Sequence, residues 1–313
     1  MNIIVVGAGA IGTLYGAKLA ADNAVTLVSR IQRDSGAQAV QITGLEDAIV
    51  TLSIASAVHA IEANTLVLLT TKAYDSVGAV TPLVQLLRSD TVILSLQNGL
   101  YVEEDVRRVV GSRCVVLRGV TYFGSVLVSS RVVSLRATGR TSIESSVRSN
   151  ELADLFSRCG LDGRVSDDIK REVWKKTIFT AVINPLTAMT RMEVGWISDE
   201  RLDPLKQCIL DECLSVAEKD GVALDLVLMR AINETFRPSR NLSSMHQDLL
   251  RGRRTEIDFL NGAIVEVGRR YGIDCPVNRS LGGRSCERVG KNDRSSGNSQ
   301  FRGCCWRSQI SIN

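Results

Sequence analysis

The sequence predicts a parallel α/β sheet domain followed by an all-α helical domain. Two observations carry this reading. Short apolar runs alternate with helical stretches through the first half, and strand signals vanish from Asp168 onward while long amphipathic helical patterns continue. Unbroken apolar strands separated by helices belong to a sheet covered on both faces. A third observation, a glycine-rich turn after the first apolar run, fixes what the sheet is for.

Taken in order, the first strand is "NIIVVG" (2–7), and a helix follows from about Ile11. Further strands are "AVTLVSR" (24–30), "TLVLLTTK" (65–72) and "TVILSLQNG" (91–99), with a helix through "SVGAVTPLVQLLR" between the last two. After Cys114 the runs "CVVLRGVTYFG", "SVLVSSRVVSL" and "TSIES" predict an antiparallel or mixed extension, closed by a helix near 149–159 and the strand "LDGRVS". Helices are then expected over 168–190, 199–219, 223–236 and 255–271. The expected domains are therefore 1–167, a nucleotide-binding sheet domain, and 168–280, a helical domain. Residues 281–313 lack either periodicity and read as an atypical, disordered basic tail or as sequence from an altered reading frame.

Composition excludes several classes. A chain of 313 residues can bury a sizeable core, and no apolar run is long enough to span a membrane. The N-terminus has no basic segment before its apolar run, so it reads as a strand and not as a signal peptide, and a cytoplasmic protein is expected. Eight cysteines show no CxxC spacing and only His59 and His246 accompany them, so neither a metal site nor a disulfide framework is expected. The net charge of +4 resides wholly in residues 281–313, where six basic residues face Glu287 and Asp293. The body is neutral, which argues against nucleic acid as a partner.

"VVGAGAIG" places Gly7, Gly9 and Gly12 in the G-x-G-x-x-G spacing, directly after a strand and opening a helix. That context marks a Rossmann-type dinucleotide site. The first glycine makes the tight turn, the second lets backbone approach a pyrophosphate, and the third allows close packing of helix on strand. Ala8, Ala10 and Ile11 complete the loop, whose helix N-terminus offers free N–H groups to phosphate. At the end of the second strand an acid would bind a ribose 2′-hydroxyl and repel a 2′-phosphate. Here the residues are Ser29 and Arg30, with Arg33 nearby, so NADP is favoured over NAD and Arg30 is the expected 2′-phosphate contact.

Ligands of open parallel sheets sit beyond the carboxyl ends of the strands. Lys72 and Asn98 stand just past two such strands, where a lysine can neutralise an anion and an asparagine amide can bridge cofactor and substrate. In the helix "VWKKTIFTAVINPLTAM" (173–189), Lys176, Thr180, Asn184 and Thr187 form one polar edge, while Lys175 shares its side with Ile178, Phe179 and Val182. A surface ion pair of Lys176 with Glu172 is the plain account of that lysine, contributing only about 0.3–0.5 kcal/mol. The alternative is a lysine lining a cleft between the domains.

The glycine loop, "TTKAYD", "LQNG", "WKKTIFTAVINPLTA" and "NLSSMHQDLLRGRRTEIDFLNG", in this order, resemble the ketopantoate reductase (2-dehydropantoate 2-reductase) family over residues 1 to about 280. The resemblance implies a second domain of the 6-phosphogluconate dehydrogenase C-terminal-like type and NADPH-dependent reduction of 2-dehydropantoate to (R)-pantoate on the route to pantothenate and coenzyme A; the long helices of the second domain could support a homodimer. It implies that Lys176 is the general acid, that Asn98, Asn184 and Ser244 hold substrate, and that Glu256 lies between cofactor and substrate. The residue types suit the chemistry, since charge left on a ketone oxygen by a hydride is stabilised and protonated by an ammonium. Two positions depart from the family: Thr180 and Val194 stand where asparagines are usual. They leave open a reductase of another 2-oxo acid or an imine. A catalytically silent NADPH-binding protein is the alternative from a different class.

Overall fold

The computed structural model describes residues 1–30, 35–224 and 227–282. The strands are β1 (Asn2–Val6), β2 (Ala24–Val28), β3 (Gly36–Gly44), β4 (Ala48–Ala55), β5 (Leu66–Leu69), β6 (Val92–Ser95), β7 (Val115–Thr121), β8 (Gly124–Ser129), β9 (Val132–Ala137), β10 (Thr141–Glu144) and β11 (Gly163–Ser166). The helices are α1 (Ala10–Leu19), α2 (Ser76–Val80), α3 (Val102–Val110), α4 (Ser149–Arg158), α5 (Ile169–Thr190), α6 (Asp203–Lys219), α7 (Leu228–Phe236), α8 (Ser244–Leu250), α9 (Asn261–Arg270) and α10 (Pro276–Gly282).

Among the described residues the strands form one eleven-stranded sheet in the order β11-β10-β7-β6-β5-β1-β2-β4-β3-β9-β8. Its centre, β7-β6-β5-β1-β2-β4, is parallel throughout. Four-residue strands such as β5 ("LVLL") and β6 ("VILS") are buried at every position because both faces are covered. One face packs on Leu14, Tyr15, Leu19 and Phe156, the other on Val80, Leu83, Val106 and Val110. The helical half has its own core around Trp174, Ile178, Val182, Ile209 and Ile264, which Leu100 and Val120 of the sheet half join.

The expected α/β-then-α order holds, with local differences that have physical causes. The stretch 31–64, given no element in the sequence reading, contains β3 and β4, an antiparallel pair whose Val40, Ile42, Leu52 and Ile54 point inward. The runs after Cys114 take the mixed form of the expected extension: β7 lies parallel to β6 and antiparallel to β10, while β8 and β9 pair antiparallel and β9 runs parallel to β3. The helix through 76–88 stops at Val80, where Pro82 opens a 3-10 turn. The helix expected over 255–271 is broken at Leu260 into a 3-10 turn, Ile257–Phe259, and α9. α6 and α7 begin later than expected, at Asp203 and Leu228, and the short α8 was not anticipated. Leu281 and Gly282, read as the start of the tail, close α10. Arg33 and the rest of the tail, 283–313, lie outside the described residues. No described helix is long and apolar enough to cross a membrane.

Candidate active site

The glycine turn is built by close approach. Gly7 has φ +114°, and a Cβ on Gly12 would stand 1.9 Å from the Gly7 carbonyl oxygen and 2.4 Å from Thr70 Oγ1. Thr70, just past β5, donates to the carbonyls of Val6 and Gly7 at 3.1 and 2.8 Å, so the turn is tied to the neighbouring strand. Gly9 is different: a Cβ there would meet nothing within 4 Å, and no side chain caps the first turn of α1. Ala8, Ala10 and Ile11 are half-buried around it. An open backbone surface at an uncapped helix N-terminus fits the phosphates of a dinucleotide. Arg30 follows β2, is exposed, and lies 3.7 Å from Asp75 on the loop after β5.

That loop and the one after β6 are joined by buried Gln97. Its amide nitrogen lies 2.8 Å from Thr71 Oγ1 and 2.7 Å from Ser76 Oγ, and its carbonyl oxygen accepts from Ser95. Asn98 follows, half-buried. The next residues lean on the helical half: Leu100 N–H donates to the Phe259 carbonyl at 3.3 Å, and a Cβ on Gly99 would stand 2.6 Å from that oxygen. Tyr101, at φ 58°, donates through its hydroxyl to Asp220, which also accepts from Trp174 Nε1 at 2.8 Å.

Lys72 is the centre of a charged cluster spanning the two halves. Its ammonium is 2.5 Å from Asp248 on α8 and 3.2 Å from Glu256, whose other oxygen accepts from the Ala73 N–H at 3.0 Å. Burial opposes the Lys72 charge, yet the Glu256 and Asp248 carboxylates outweigh it and raise the lysine's pKa. Burial pushes the Asp248 carboxyl up against the pull of Lys72. The sequence reading set Lys72 against an external anion; here its partners are two carboxylates of the helical half.

Along α5 the polar edge faces the same seam. Lys176 Nζ donates to the Thr121 carbonyl at 2.7 Å. Its surface pairing with Glu172 is not what the fold uses, because Glu172 is taken by Arg140 at 2.8 Å and Tyr122 at 2.6 Å. Burial, and then the charge of Arg118, lower the Lys176 pKa to about 7, with Glu256 pulling the other way. Asn184 is buried and donates to Ser244 Oγ at 3.4 Å, while Thr187 bonds Ser243, the N-cap of α8. α5 runs through Pro185 without ending. Thr180 turns its hydroxyl back on its own helix, 3.0 Å from the carbonyls of Lys176 and Thr177. Lys175, on the side of Ile178 and Phe179, is exposed.

Lys176, Glu256, Lys72, Asn98, Asn184 and Ser244 thus come from both halves to one seam at the carboxyl edge of the parallel strands. Arg30, exposed and beside Asp75, is not among them. The sequence reading passed over Gln97 and Arg118. The first sat in a quoted motif, and the second is a lone charge inside the apolar run "CVVLRGVTYFG".

Comparison with known proteins gives the chain's family. Sequence models described as "Ketopantoate reductase PanE/ApbA" and "Ketopantoate reductase PanE/ApbA C terminal" match residues 3–147 and 168–283. A 2-dehydropantoate 2-reductase of Pyrococcus horikoshii is 33% identical over 288 residues, covering 89% of this chain and 94% of the relative. One from Archaeoglobus fulgidus is 32% identical, covering 90% and 95%. Among solved structures, a PanE/ApbA family ketopantoate reductase from Ralstonia eutropha JMP134 superposes with a TM-score of 0.82 at 31% identity, covering 90% of this chain and 96% of that one. D-mandelate dehydrogenase in complex with NADH and anilino(oxo)acetate gives 0.82 at 26% identity, with the same coverage. The glycine turn, the seam lysine and these matches along nearly the whole described chain lead to one conclusion: this chain belongs to the ketopantoate reductase family of oxidoreductases.

Proposed function

We propose that the protein reduces 2-dehydropantoate to (R)-pantoate with NADPH, in the supply of pantothenate and coenzyme A. The observation that carries this reading is Lys176, an amine drawn down to about 7 on a seam where Asn98, Asn184, Ser244 and Glu256 also converge. A group with that pKa can hold a proton and release it near neutral pH.

When bound, the reduced nicotinamide supplies a hydride to the ketone carbon. Lys176, half-buried and anchored on the Thr121 carbonyl, stabilises the charge that gathers on the ketone oxygen and gives it a proton. Glu256 is fixed by Lys72 and the Ala73 N–H, and its negative charge favours the protonated lysine before transfer. Asn98 and the Asn184–Ser244 pair supply amide and hydroxyl groups for the carboxylate and hydroxyl of a small acid. Gly7 to Gly12 hold the pyrophosphate, and Arg30 the 2′-phosphate. The test follows NADPH absorbance with 2-dehydropantoate, with pyruvate, 2-oxoisovalerate and NADH as comparators. Oxidation confined to 2-dehydropantoate with NADPH supports the reading; turnover of the comparators at equal efficiency defeats it.

A second reading is reduction of a different 2-oxo acid. Thr180 motivates it, since its hydroxyl is committed to its own helix where an asparagine amide would face outward. The similarity to D-mandelate dehydrogenase points to an aryl 2-oxo acid as the probe. Faster turnover of phenylglyoxylate than of 2-dehydropantoate would favour it.

A further inference from the structure

β7 carries a charge where its neighbours are apolar. Arg118 is 3% exposed and flanked by Leu117, Val116 and Val120, all buried. Its Nη2 donates to the Gly99 carbonyl at 3.0 Å, and its Nη1 forms an ion pair with Glu103 on α3 at 3.5 Å. Nε and Nη1 of Arg118 and Oε2 of Glu103 are left without a hydrogen-bond partner. Burying a guanidinium with two unsatisfied nitrogens is costly, and the fold carries that cost beside its reactive seam. The backbone of β7 does not need the side chain: the strand's own hydrogen bonds are made, and the Arg118 N–H is satisfied by Glu144 at 2.7 Å.

We propose that Arg118 is a positioning residue of this enzyme, propping the Asn98–Gly99 turn through the Gly99 carbonyl and supplying a fixed buried positive charge beside Lys176. The proposal rests on Lys176 being the proton donor. Three further anchors surround the same turn, namely Gln97 on one side, Phe259 on another and Asp220 through Tyr101. Arg118 is the one of these that brings positive charge. The groups facing it are Glu103 and Arg107 on α3, Glu144 on β10 and Lys176 on α5. Those facing Lys176 from packed elements are Arg118 and Glu256, the latter backed by Lys72 and Asp248. Burial and the Arg118 charge both oppose protonation of Lys176, so removing the guanidinium charge must make that lysine more basic.

The experiment compares wild type, Arg118→Met and Arg118→Lys. Acetylation of Lys176 by acetic anhydride is followed against pH by mass spectrometry of its peptide, and steady-state kinetics run alongside. The Lys176 midpoint is expected near 7 in the wild type. It should rise by on the order of one pH unit in Arg118→Met and stay near the wild-type value in Arg118→Lys. KM for the 2-oxo acid should rise in both variants, because lysine keeps the charge and lacks the fork that grips the Gly99 carbonyl. An unchanged midpoint in Arg118→Met overturns the proposal. Should that variant not fold, Glu103→Gln leaves Arg118 less compensated and should move the midpoint down; no movement, or a rise, overturns it equally. The acetylation readout needs no turnover, so a wild-type protein inactive on 2-dehydropantoate would sink the substrate assignment while still testing Arg118.

Discussion

Lys72 and Asp248 meet at 2.5 Å, one from the loop after a strand of the sheet and the other from a helix of the second half. With Glu256 at 3.2 Å from the same ammonium, the contact fastens the seam in which Lys176 lies. Asp248 and Glu256 are both buried. Lys72→Met therefore strands two carboxylates away from water. The expected loss is about 2–3 kcal/mol, below the range for a fully enclosed pair because Lys72 keeps contact with solvent. Urea midpoints at neutral pH check this. Since the Lys72 pKa is raised above its ordinary 10.5, its contribution is complete below that value and fades as pH climbs through the folded one. Wild type and Lys72→Met should thus converge in stability only at strongly alkaline pH.

Lys176 must carry its proton to act on a ketone oxygen. With its pKa lowered to about 7 by burial and Arg118, the protonated fraction falls as pH rises through that value. The turnover number for reduction should decline on the alkaline side of about pH 7, and oxidation of pantoate should gain over the same interval. Lys176→Ala should lose about 10²–10⁴-fold in turnover, the span for removing an acid catalyst, with NADPH affinity retained. A variant as active as the wild type would end the assignment of Lys176 as the acid.

How far the sequence could be read depended on the range of the forces involved. The glycine turn and the buried strands were legible because each is a local pattern, one of φ and close approach, the other of an apolar run. The polar edge of α5 was legible because helical spacing puts residues 176, 180, 184 and 187 side by side. The Lys72 cluster was not, since its partners lie 176 and 184 residues away and nothing near Lys72 encodes them. β3 and β4 did leave a signal, an alternation that includes Val40, Ile42, Leu52 and Ile54, but the stretch was given no element. The break at Leu260 falls beside Asp258, Phe259, Asn261 and Gly262, weak helix formers whose signal the apolar spacing of the segment outweighed. There the chain turns and the Phe259 carbonyl receives the Leu100 N–H, a tertiary contact that acts with the weak local propensity.

Arg30 and Asp75 lie 3.7 Å apart, so a 2′-phosphate must compete with a carboxylate for the same guanidinium. Arg30→Ala should weaken NADPH by about tenfold or more and NADH far less, the scale of one charge-assisted hydrogen bond. Asp75→Asn should act in the opposite sense, tightening NADPH by freeing Arg30 and removing a repulsive charge. Dissociation constants from nucleotide fluorescence measure both. Equal changes for the two nucleotides in Arg30→Ala would take that residue out of cofactor selection.

The second and third glycines of the loop invite opposite expectations from the same substitution. A methyl group at position 12 would lie 1.9 Å from the Gly7 carbonyl oxygen, a backbone atom that cannot swing aside. Gly12→Ala must therefore push α1 off β1, and both melting temperature and NADPH binding should fall. A methyl group at position 9 meets no atom of the protein within 4 Å, and the backbone there is extended, so Gly9→Ala should melt like the wild type. Its methyl group would instead occupy the space through which a pyrophosphate approaches the first turn of α1. Binding should weaken by about tenfold or more, an amount on the scale of lost charge-assisted hydrogen bonds. Calorimetric melting beside NADPH titration separates the two cases. Unimpaired NADPH binding by Gly9→Ala would mean that the pyrophosphate does not rest on this turn.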